Sequence, residues 1–125
     1  MRARRRPATA KEIETLRRRF LGDLEVLGEA AARVHRSLDE AEGALTIIRD
    51  HVRQQGNISD FVERIDPIPL RFELSRSLDD LERARHTMQR HLFLLLISEG
   101  RSMSDIARAW GISRQLVSRL VNEPE

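Results

Sequence analysis

Residues 101–122 read RSMSDIARAWGISRQLVSRLVN, and two short helices follow from the spacing alone. Ser102 with Asp105 three residues on is a capping box, in which a hydroxyl and a carboxylate each accept a backbone N–H at a helix start. The inward face of that helix reads Met103, Ile106, Ala107 and Trp110, and Gly111 ends it with a residue free to turn left-handed. Ile112 plugs the core from the turn, Ser113 caps the next helix, and Val117, Leu120 and Val121 return to the core at three-and-four spacing. Ala107 is small where the two helices cross. The predicted motif core is therefore Ile106, Ala107, Trp110, Gly111, Ile112, Val117 and Leu120.

This pattern resembles the helix-turn-helix of bacterial transcription regulators and of the DNA-binding ends of resolvase and invertase recombinases. The resemblance covers residues 101–122, or residues 83–122 if the preceding segment supplies the first helix of a three-helix unit. It implies that the second helix enters the major groove of double-stranded DNA with Arg114, Gln115, Ser118 and Arg119 as base readers. Arg forks onto guanine and Gln pairs with adenine, each good contact giving roughly 1–3 kcal/mol of discrimination. Ser102 and Ser113, at helix starts, are expected to hold phosphates. The competing reading of Arg114 and Arg119 is an ordinary solvated face, since all but Lys11 of the 22 basic residues are Arg. The sequence ends three residues after Asn122, so no β-hairpin wing is expected.

Working back toward the N-terminus, apolar residues recur on one helical face from Ile13 to Val52. From Leu24 the steps alternate three and four through Leu27, Ala31, Val34, Leu38, Ala41, Leu45 and Ile48, the mark of a coiled-coil seam. A helix is predicted from an N-cap at Thr9, boxed with Glu12, to about Gln54, with Gly56 as a left-handed cap. Its length, on the order of 65–70 Å at 1.5 Å per residue, asks for a partner. Leu24, Leu27, Val34, Leu38, Leu45 and Ile48 are the residues expected to build the hairpin and a dimer. One helical turn is expected at residues 59–63, and the prolines of residues 66–69 predict an extended connection with Pro69 opening the next helix. That helix shows Leu70, Leu74, Leu78, Leu81, Met88, Leu92 and Leu95, with Arg85 breaking the heptad, and stops at Gly100. The run from Leu92 to Ile97 is apolar all round, which only a helix buried on two sides tolerates.

The expected fold is all-α: a long helical hairpin or coiled coil followed by a C-terminal wingless helix-turn-helix. Its parts are a disordered basic arm (1–8), a dimerising hairpin (9–82) and a DNA-binding domain (83–125). With 34% charged and 4% aromatic residues, the composition suits amphipathic helices with solvated faces. The absence of Cys excludes a disulfide framework, a thiolate metal site and cysteine catalysis. His35, His51, His86 and His91 have no metal-ligand spacing, and no phosphate loop or nucleophile motif appears. No metal, no cofactor and no enzymatic activity are expected. The longest apolar run is too short for a membrane span and no signal peptide is seen, so a cytoplasmic, nucleoid-associated protein is expected.

Charge is unevenly placed: residues 1–19 carry eight basic and two acidic side chains, residues 20–69 five and ten. Arg2, Arg4, Arg5 and Arg6 are therefore candidates for phosphate or minor-groove contact. The leading functional expectation is a homodimeric, sequence-specific transcription regulator. The alternative is a coiled-coil adaptor, nucleoid-organising or antitoxin-like protein, with a heterologous partner, that the motif targets to DNA. A detached recombinase end is disfavoured, because no catalytic Ser or Tyr domain precedes the motif.

Overall fold

The computed structural model describes residues 6–64 and 67–124, and every regular element among them is helical. The elements are α1 (Ala10–Arg53), α2 (Ile58–Arg64), α3 (Pro67–Ser98), α4 (Met103–Trp110) and α5 (Arg114–Val121). Among the described residues no helix is long and apolar enough to cross a membrane. The chain divides into two compact units, one of residues 27–84 and the other of residues 85–125 with the stretch that ends at Val26. The start of α1 thus clusters with the C-terminal helices, where a contiguous division near residue 82 was expected.

Local rules set the helix ends. The Thr9 hydroxyl accepts the Glu12 N–H at 3.1 Å and the Glu12 carboxylate accepts the Thr9 N–H at 3.1 Å, the expected capping box of α1. At its other end the left-handed residue is Gln55 (φ 62°), not Gly56. Gln55 N–H reaches Val52 O and Gly56 N–H reaches His51 O, both at 3.0 Å, closing a Schellman turn around Gln55. Gly56 is needed for a different reason: a Cβ there would stand 2.5 Å from the His51 ring. That ring is held by Asn57 O at 2.9 Å and by Phe61, 5.3 Å between centroids.

The expected extended connection before α3 is replaced by helix from Pro67 onward, which puts Pro69 inside the first turn. First-turn N–H groups have no intrahelical acceptor, so a proline there loses no hydrogen bond. Asp66 lies outside the described residues.

In the unit of residues 27–84, α1 and the returning α3 bury a seam that differs from the leucine-rich one read above. Leu27, Val34 and Ile48 face inward as expected, but the column that completes the seam is Ala30, Ser37, Ala44 and His51. Leu38 and Leu45, one residue further on, are exposed, as is Leu24 in the other unit. The same offset occurs in α3, where Ser77 is 6% exposed and Leu78 is 44% exposed. Small side chains on the facing sides favour close helix packing, and Ala30, Ser77 and Ala84 are the buried members of these columns. Ser77 satisfies its hydroxyl on Leu74 O at 2.9 Å, so its burial leaves no orphaned donor. The heptad also passes Arg85 without a break, because buried Ala84 carries it.

In the other unit the apolar end of α3 is sandwiched as its composition requires. Phe93 joins Ile106, Ala107, Val117, Leu120 and Val121 in one buried cluster, with Leu94, Leu96 and Ile97 packed against it. Gly100 (φ 104°) ends α3, and Arg101 N–H closes on Leu96 O at 3.0 Å.

Candidate functional site

The candidate surface is carried by α4 and α5, so its geometry begins with their caps. Ser102 is extended (φ −84°, ψ 159°), its hydroxyl accepts the Asp105 N–H at 3.0 Å, and the Asp105 carboxylate accepts the Ser102 N–H at 3.4 Å. The Ser102 N–H, then its hydroxyl, then the charges of Arg108 and Arg101 hold the Asp105 carboxyl below the usual carboxylate range. Gly111 turns left-handed (φ 67°), and Ala107 O accepts the N–H groups of both Gly111 and Ile112. Ser113 then caps α5, its hydroxyl accepting the Leu116 N–H at 3.0 Å.

The inner faces of α4 and α5 are set by apolar burial. Val117 is fully buried, with Ile106, Ala107 and Leu120 beside it and Ile112 packed against them. Trp110 departs from the expected core: it is 43% exposed, and its ring meets that of Phe93 edge to face at 5.1 Å. It is the last residue of α4 and stands at the edge of the buried cluster rather than within it. Gly111 is exposed as well, and its role is the turn rather than packing.

The outer face of α5 gathers the four residues singled out as readers. Arg114, Gln115 and Arg119 are exposed and Ser118 is half-buried, and their three- and four-residue separations put them on one side of the helix. Asn122 belongs with them: its Nδ2 donates to the Ser118 hydroxyl at 3.3 Å. The sequence reading missed Asn122, although its four-residue separation from Ser118 was a usable signal. No acidic residue lies within α5, so its positive N-terminal dipole and two arginines are unopposed on that element. The start of α4 differs, because the Asp105 carboxylate already occupies it and opposes a phosphate beside Ser102.

The remaining basic candidates divide. Arg6 donates to Glu12 at 2.6 Å, which ties it to the start of α1 rather than to a free arm. Arg2, Arg4 and Arg5 lie outside the described residues.

Behind α5, a polar cluster holds the chain end in place. The His86 Nε2–H donates to the Glu123 carboxylate and Arg90 Nη2 donates to Glu123 O, both at 2.7 Å. His91 donates through Nδ1 to Asp23 and accepts from Arg90 Nη1 at 3.3 Å, so the ring bridges α1 and α3. Among the described residues no group of three potential metal ligands assembles.

No family model matches the chain, and no curated protein and no solved structure is significantly similar to it.

Proposed function

We propose that the chain is a sequence-specific, non-enzymatic DNA-binding regulator that works as a homodimer in the cytoplasm, with α4, the Gly111 turn and α5 as a helix-turn-helix. The observation that carries this reading is the two-sidedness of α5. Val117, Leu120 and Val121 anchor it in a packed cluster, while Arg114, Gln115, Ser118 and Arg119 project from the opposite side without an acidic neighbour on the helix. Side chains on a rigid support lose less freedom on meeting base edges, which is what groove readout requires.

In this reading α5 lies in the major groove, and the start of α5 at Ser113 meets a phosphate more readily than the start of α4. A dimer doubles the site and favours a two-fold-symmetric operator with half-sites about 34–36 Å apart, or a multiple of that. Selection from random duplex DNA at moderate salt tests it: the purified protein is expected to enrich an inverted repeat. Failure to enrich any duplex overturns the reading, and equal binding across unrelated duplexes favours the adaptor or nucleoid-organising alternative.

A further inference from the structure

The helix pair within residues 27–84 has two unlike sides. On one, Ser37 and Ser77 floor a groove walled by charges, among them Arg33, Glu40, Glu73 and Asp80. Leu38 and Leu78 each follow those serines by one residue, a rotation of about 100° that turns both toward the other side of the pair. There Leu38 is 43% exposed, Leu45 64% and Leu78 44%, a run of apolar surface left uncovered by the described residues.

We infer that this side is the interface with a second copy of the chain, the two α1 helices meeting antiparallel about a two-fold axis at Leu38. The inference rests on the homodimer reading above and adds the face and its register. An antiparallel pair centred on Leu38 sets each Leu45 against Ala31 of the other copy, large against small. The column three residues before these positions, Gly28, His35, Glu42 and Arg49, then lines the same seam. In this register Glu42 comes within one residue of the level of His35 on the other copy, acid against base, and Arg49 within one residue of Gly28, where no described residue lies within 4 Å of a Cβ position. Sliding the helices by one heptad, so that Leu38 meets Leu45, sets Glu42 against Glu42 and His35 against Arg49. The two Glu42 carboxylates then stand beside each other, and this like-charge pair disfavours that alternative. Charge and size therefore select one self-complementary register, as a closed two-fold interface requires.

The 125-residue chain contains no cysteine, so introduced thiols test this directly. Leu38→Cys sits on the axis and is expected to oxidise to a covalent dimer, while Glu40→Cys, on the charged side, is expected to form no covalent cross-link under the same conditions. By sedimentation equilibrium the unmodified chain is expected to be dimeric and Leu38→Glu monomeric, with helical circular dichroism retained because the residue is already exposed. Glu42→Arg is expected to weaken the dimer about two- to fivefold, and adding His35→Glu to restore it. A monomeric unmodified chain, a Leu38→Glu dimer, or cross-linking at Glu40→Cys in place of Leu38→Cys overturns the inference, as does a stoichiometric heterologous protein on this face. A dimer that passes these tests and enriches no duplex leaves the interface standing and removes the DNA-binding reading.

Discussion

The rings of Phe93 and Trp110 meet at an interplanar angle of 83° with their centroids 5.1 Å apart, so α3 and α4 are joined by an aromatic contact at the edge of the core. Phe93 is the inner partner, with no exposed surface, and Trp110 is the outer one. Truncation at Phe93 leaves a cavity among Ile106, Val117 and Leu120 and is expected to cost about 3–5 kcal/mol. Trp110→Ala is expected to cost about 1–2 kcal/mol, since nearly half of the ring already meets water. Urea titrations followed by circular dichroism measure both. In the unmodified chain the single Trp fluorescence should report the same transition.

Gly111 and the helical glycines make opposite predictions for one substitution. At Gly111 the backbone is left-handed (φ 67°), and Gly111→Ala is expected to lose about 1–2 kcal/mol, with Asn tolerated better than Ala. At Gly22 and Gly43, inside α1, no described residue beyond the local helix backbone stands within 4 Å of a Cβ, so each Ala substitution is expected to gain about 0.8–1 kcal/mol. Chemical denaturation of the three variants separates the two cases.

Acid sensitivity is expected at two helix starts. The Thr9 N–H, then the Arg6 guanidinium, lower the Glu12 carboxyl, as the Ser102 N–H, then its hydroxyl, lower that of Asp105. A carboxylate lowered on folding stabilises the native state at all pH values above its unfolded pKa, about 4. That contribution starts to fall below this pH and is lost as pH drops through the depressed folded value. Stability is therefore expected to be level near neutrality in this respect and to fall below about pH 4, with a smaller acid loss in Asp105→Asn. Thermal melts across an acid series, wild type against variant, provide the check.

Loss of a cap without a charge isolates the same structural role at α5. Ser113→Ala removes the acceptor for the Leu116 N–H and is expected to cost about 0.5–2 kcal/mol, mostly recovered by Ser113→Asp. If a phosphate binds beside the α5 start, Ser113→Asp regains the stability but weakens DNA binding through like charge, and the two measurements part.

Readout and anchoring are expected to separate along α5. Arg114→Ala should relax preference at one base position, costing roughly 1–3 kcal/mol on the best duplex and little on the others. A purely solvated Arg114 would change neither. Val117→Ala, at a fully buried site, should instead lower stability and the affinity for every duplex together. Competition binding over a panel of single-base variants, run beside thermal melts, distinguishes these outcomes.

What the sequence determined by itself about this protein lies within a few residues of itself. The capping boxes at Thr9 and Ser102, the turns at Gly100 and Gly111 and the all-round apolar run of α3 were legible because each depends on neighbours one to five positions away. The positions of Val117 and Leu120 were legible because a short amphipathic helix has only one apolar side. The α1 seam was not, because two adjacent columns fit the same three-and-four spacing. One is rich in Leu, through Leu24, Leu38 and Leu45, and the other is small, through Ala30, Ser37 and Ala44. Hydrophobicity alone favours the first, and only packing within the folded chain decides for the second, since small side chains suit a helix-facing seam. That choice displaced Leu38, Leu45 and Leu78 to the surface, where they make the face assigned here to a second copy. Trp110 was misplaced for a similar reason: local spacing turns it inward, but how much wall it finds at the end of α4 is a property of the packed helices.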